Sequence, residues 1–108
     1  MAYVFGSEAR GTAGPMSDID IAVLTKPSVN FEHIETRLFN DLATALKTDN
    51  LDLIDIRTAS PLLAHRSVLG GVPLLFHDPH REAILKMNVL RTYEDHRYLF
   101  AIKERAFL

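Results

Sequence analysis

The sequence predicts an α/β (α+β) chain, one small mixed or parallel β-sheet packed with helices and finished by a long C-terminal helix. Three observations carry this prediction. Polar and apolar residues alternate with a period of two along Asp18–Leu24, the signature of a half-buried strand, and Leu51–Ile56 reads as a further strand. Apolar residues recur at helical spacing between them, at Phe31, Ile34, Leu38, Leu42, Ala45 and Leu46. Asp78-Pro79 opens a last helix from about residue 80 to 106.

The remaining elements follow in order. Ala2–Phe5 is a short apolar run entering a Gly-Ser turn, which reads as a strand end. Residues 7–17 hold Gly11, Gly14 and Pro15, so they form a loop with at most one helical turn. Pro27 ends the next strand. Glu32 and Glu35 sit near the start of the first helix, where its dipole favours negative charge. Ser60-Pro61 is a cap followed by proline at the first helical position, and Gly70-Gly71 closes that helix. Val72–Phe76 is a short strand. No repeat, low-complexity tract or linker divides the 108 residues, so residues 1–108 are expected to form one domain.

Composition narrows the functional classes. Of the chain, 47% is hydrophobic and 24% charged, with 12 Lys plus Arg against 14 Asp plus Glu and a formal charge of −2. That is an ordinary globular balance and the wrong footprint for gripping a phosphate backbone, so direct nucleic-acid binding is not expected. Cysteine is absent, which excludes disulfide scaffolds, zinc ribbons and thiol catalysis. No apolar run approaches a membrane span and the N-terminus lacks a signal-peptide pattern. The expected location is the cytoplasm.

The chemistry concentrates in Gly6-Ser7-Glu8-Ala9-Arg10-Gly11 and Ser17-Asp18-Ile19-Asp20. Two positions apart on a strand, Asp18 and Asp20 point from one face. Such a pair repels itself unless a cation lies between, and oxygen ligands without His or Cys suit a hard ion such as Mg²⁺. A Gly-Ser turn after a strand exposes successive N–H groups and a hydroxyl, a cradle for an anion. Each half also has a plainer meaning: Gly-Ser as a simple turn, and Asp-x-Asp as solubilising charge on an edge strand. Together they match metal-assisted phosphoryl or nucleotidyl transfer.

Gly6-Ser7, ten intervening residues and Asp18-x-Asp20 resemble the signature of the DNA polymerase β-like nucleotidyltransferase superfamily. The fuller pattern Gly-Ser-x-Ala-Arg-Gly…Ser-Asp-Ile-Asp is similar to the minimal nucleotidyltransferases (MNT). Leu51–Asp55, Ala59–Leu63 and Gly71–Phe76 keep the family's order to about residue 78. The resemblance implies the nucleotidyltransferase fold, with ATP as co-substrate, Mg²⁺ (two ions) as cofactor, and a partner. That partner is a small helical HEPN-type toxin in a hetero-oligomer of a prokaryotic toxin–antitoxin pair, neutralised by transfer of AMP onto a tyrosine. A helix and a longer first strand usually precede Gly6-Ser7 in the family, whereas this chain starts almost on its first strand, so that helix is expected to be missing.

The resemblance also implies roles. Gly6, Ser7 and Arg10 would bind the nucleotide; Asp18, Asp20 and a third acid would hold metal and carry catalysis. Asp52 and Asp55 both qualify as that acid and face opposite ways; the family's pattern matches Asp52. Arg10 has two readings, a contact to triphosphate or an acidic partner, or an ion pair with Asp18 or Asp20. Ser17 is read as a brace for the aspartate strand and Glu8 as a solvated charge.

His33, His65, His77, His80 and His96 match no zinc spacing. The scattered basic residues of the last helix are offset by acids, which describes a solvated face. Its apolar front is broad: Leu85, Val89, Tyr93, Phe100 and Phe107 form one stripe that Ile84, Met87, Leu90, Leu99 and Ile102 widen. Either that front is all core, or part of it touches a partner. Two alternatives to the modifying antitoxin stand. One is a binding-only antitoxin with a vestigial site; the other is an enzyme acting on a small hydroxyl compound, for which a second substrate domain is lacking.

Overall fold

The computed structural model describes residues 1–6, 18–75 and 78–107. Strands β1 (Ala2–Phe5), β2 (Ile19–Val23), β3 (Leu51–Asp55) and β4 (Val72–Leu75) form one sheet in the order β3-β2-β1-β4. Helices α1 (Phe31–Leu46), α2 (Pro61–Leu69) and α3 (Pro79–Phe107) complete the element order β1-β2-α1-β3-α2-β4-α3. β1 runs antiparallel to β2 and β4, while β2 and β3 run parallel across the α1 crossover. The sheet is therefore mixed.

The helices start where capping chemistry places them. Asn30 accepts from the Glu32 N–H at 2.9 Å and Ser60 from the Leu63 N–H at 3.2 Å, each satisfying a donor that the first turn leaves free. Asp78 does the same for α3, accepting from His80 N–H at 3.0 Å. At the far end of α1, Lys47 adopts a left-handed φ of 57° and ends the helix.

Alternation sorts the sheet into two faces. Ile21 and Val23 pack with Phe31, Leu38 and Leu42 of α1, and with Leu51 and Leu53 of β3. Tyr3, Phe5, Ala22 and Ile56 pack on the other face with Val68 of α2 and Val89 of α3. Pro73 lies in β4, an edge strand, where its missing N–H costs no ladder bond.

At the opposite end from Gly6, Arg57 donates to the hydroxyl and the carbonyl of Thr25, both at 2.6 Å, and Thr25 donates on to Val29 carbonyl at 3.0 Å. This clamp fixes the loop that leads from β2 into α1.

Gly71 joins α2 to β4 under the end of β1. A Cβ there would collide with the Ser67 carbonyl and stand 2.9 Å from the Val4 carbonyl and 3.3 Å from Phe5 Cβ. These are backbone and core atoms with no room to yield. Gly71→Ala is expected to cost about 3 kcal/mol, the upper range for overpacking a close-packed interior. A urea midpoint unchanged from wild type would refute this.

Candidate active site

β1 ends at Phe5 and turns at Gly6, beside the place where β2 and β3 begin. Asp20 stands between two neighbours in register, Phe5 on β1 and Asp52 on β3. Directly paired residues of adjacent strands share a face, so Phe5, Asp20 and Asp52 all point to the α2 side. On this face Phe5 is buried, Asp20 half-buried and Asp52 exposed. Asp18 is exposed one step before β2, in phase with Asp20.

The position of β2 removes one plain explanation of its carboxylates. It is an interior strand, flanked by β1 and β3, so Asp20 is not edge-strand charge placed for solubility. Its pKa is pushed above the usual carboxylate range, first by burial and then by the charges of Asp52 and Asp18. Three acids are thus close enough to repel one another, and a cation among them would relieve that repulsion.

The donor set fits a hard divalent ion: carboxylate oxygens only, open to water on one side. Among the described residues, no three His, Cys, Asp or Glu side chains are drawn into a closed metal-binding cluster. The acids are gathered on one face without being chelated together.

Asp55 has a different setting. It shares the parity of Leu51 and Leu53, so it points to the α1 face, away from Asp20 and Asp52. Its carboxylate accepts from the Arg57 N–H at 3.1 Å and so closes the turn after β3. Asp55 is therefore a turn brace.

Gly6 is the second part of the site. Its φ is +76°, in the left-handed region that favours glycine. A Cβ added there would lie 2.7 Å from the Asp20 carboxylate oxygen. Two independent constraints, backbone conformation and close approach, thus meet at this residue. Ser7, Glu8, Arg10 and Ser17 lie outside the described residues, as does His77. What the sequence reading missed was the surroundings of Asp20: Phe5 paired beside it on β1, and Gly71 packed close to Phe5. The only early signals were alternation in β1 and a second glycine after the helix C-cap.

Residues 1–80 match the polymerase β nucleotidyltransferase family. The chain belongs to that family. It is also 40% identical over 74 residues to the protein adenylyltransferase MntA of Shewanella oneidensis, a match covering 68% of this chain and 52% of the relative. The nucleotidyltransferase chain described here thus spans about half the length of that curated relative. Among solved structures, a toxin–antitoxin with AMP-PNP superposes with a TM-score of 0.79 at 30% identity, over 99% of this chain and 85% of the other. A tri-AMPylated Shewanella oneidensis HEPN toxin in complex with its MNT antitoxin superposes with a TM-score of 0.70 at 27% identity, over 99% and 82%.

The raised Asp20 pKa has a thermodynamic consequence in this nucleotidyltransferase. A carboxyl that holds its proton more tightly folded than unfolded destabilises the fold above its folded pKa, and stability returns as pH falls through that value. In the absence of metal, Asp20→Asn is expected to raise Tm at pH 7 and to remove that part of the pH dependence. Mg²⁺ should raise the Tm of wild type and leave the variant nearly unchanged. A lower Tm for the metal-free variant would contradict the repulsion argument.

Proposed function

We propose that this chain is a single minimal nucleotidyltransferase domain, residues 1–108, acting as a protein adenylyltransferase. It transfers AMP from ATP to a tyrosine of a HEPN-type toxin and so neutralises it as an antitoxin. The observation that carries the reading is the register of Asp20 and Asp52 on one face of the sheet, at the end where Gly6 turns. The match to MntA and the fold shared with AMPylated toxin–antitoxin complexes support the choice of nucleotide and acceptor. The cytoplasm is the proposed location; no described helix is long and apolar enough to cross a membrane.

In this reading Gly6 and Ser7 hold the triphosphate, and Arg10 binds one of its phosphates. Asp18, Asp20 and Asp52 would hold the Mg²⁺, two ions in the family's pattern. The metal, when bound, neutralises charge on the triphosphate and on the leaving pyrophosphate. Asp52 accepts the proton of the tyrosine hydroxyl as its oxygen attacks the α-phosphorus. One P–O bond forms, the bond to the β-phosphate bridge breaks, and pyrophosphate departs in line. Asp20, paired with Asp52 on β3 and with Gly6 close beside it, is the middle acid of the three.

A second reading, neutralisation by binding alone, is favoured by one observation, the unclosed state of the acidic cluster among the described residues. Intact mass of the HEPN-type partner, after incubation with this protein, ATP and Mg²⁺, separates the two. The first reading requires AMP additions that vanish with Asp18→Ala/Asp20→Ala. No addition, with the partner still silenced, establishes the second.

A further inference from the structure

Helix α3 outruns the body of the protein. Its contacts with α2 extend to Tyr93, whose ring lies 4.1 Å from that of His65, centroid to centroid. Every residue from Glu94 to Arg105 is exposed. Three turns of helix standing free in water are marginal on their own, because a helix draws most of its stability from packing.

This free segment is not polar. Its middle reads Tyr98-Leu99-Phe100-Ala101-Ile102, and at 3.6 residues per turn five successive positions go completely round the axis. Tyr98 is 68% exposed, Leu99 63%, Phe100 56% and Ile102 43%. Phe100 is in helical phase with Val89 and Tyr93, seven residues beyond the latter, yet among the described residues nothing covers the face here. A helix apolar all round belongs in an interior. Charged residues, Glu94, Asp95 and Arg97 on one side and Lys103, Glu104 and Arg105 on the other, bound the apolar girdle, as a polar rim bounds the core of an interface.

We infer that residues 98–102 of α3 seat in an apolar groove between helices of the HEPN-type partner; the inference rests on the function proposed above. The girdle selects the occupant. A second copy meeting α3 along a single helix–helix seam would cover one stripe and leave the others wet. A groove in a helical protein has walls on several sides and covers the girdle. The toxin–antitoxin structures that share this fold align over 99% of the chain, α3 included, and one of them holds a HEPN toxin against an MNT antitoxin.

Two variants test this, Leu99→Glu/Ile102→Glu and Phe100→Ser, each titrated against a purified HEPN-type toxin. The side chains are exposed, so Tm and Mg²⁺–ATP binding should match wild type. Affinity for the partner should fall at least tenfold for either variant, with loss of AMP transfer at partner concentrations that saturate wild type. Unchanged affinity overturns the inference while leaving the proposed function intact. Self-association of wild type that the variants abolish, with partner binding untouched, overturns it in favour of a second copy. Wild type that neither binds nor modifies a HEPN-type protein refutes the proposed function and this surface with it.

Discussion

Replacing Asp20 by alanine is expected to abolish AMP transfer, lowering single-turnover rates at least about a thousandfold, while the protein stays folded. Loss of a single preorganised group facing the developing charge commonly costs a factor of about 10² to 10³, and Asp20 is argued to hold the charge-neutralising metal itself. The fold survives for an equally physical reason. Asp20 sits among like charges with its pKa raised by burial, Asp52 and Asp18, so its removal relieves repulsion. A small side chain is also compatible with the interior position next to Ala22. Mass measurement of the partner gives the rate and thermal denaturation the fold. Transfer within tenfold of wild type would remove Asp20 from the reaction.

Asp52 and Asp55 are expected to separate cleanly. Asp52→Asn should slow transfer by about 10² to 10⁴, the usual worth of a general base, with little change in stability because the side chain is exposed. Asp55→Ala should leave turnover within about threefold and instead cost about 1 kcal/mol of stability, the worth of the hydrogen bond that Asp55 accepts from Arg57. The geometry behind this contrast is parity: Asp52 is in register with Asp20 on the α2 face, and Asp55 points to α1. Measuring rate and urea midpoint on both variants decides it. A reversal of the two phenotypes would make Asp55 the third acid.

Much of the fold was legible in the chain because local rules and tertiary structure agree. Asn30, Ser60 and Asp78 are side chains that cap helices wherever an apolar run follows, and all three do so here. The period-two pattern at Asp18–Leu24 marked β2 to within one residue at each end. The apolar front of α3 was visible too, but not its division. Leu85, Val89 and Tyr93 meet the body, whereas Phe100, on the same stripe, is exposed. Periodicity reports which side chains share a face; how far the neighbouring elements reach along it is not a local property.

The sequence by itself determined the elements, the acids and their phase: two-residue spacing puts Asp18 and Asp20 on one face, and odd separation sets Asp52 against Asp55. Only the tertiary structure decided which of that second pair joins the first. The decision comes from strand pairing, which brings residues 32 positions apart into register across β2 and β3, and from the α1 crossover that makes this pairing parallel. It also placed β2 inside the sheet and set Gly6 against Asp20 with φ at +76°. Register is a non-local quantity, fixed by which faces must be buried against α1 and α2 together. A short motif read along the chain does not contain it.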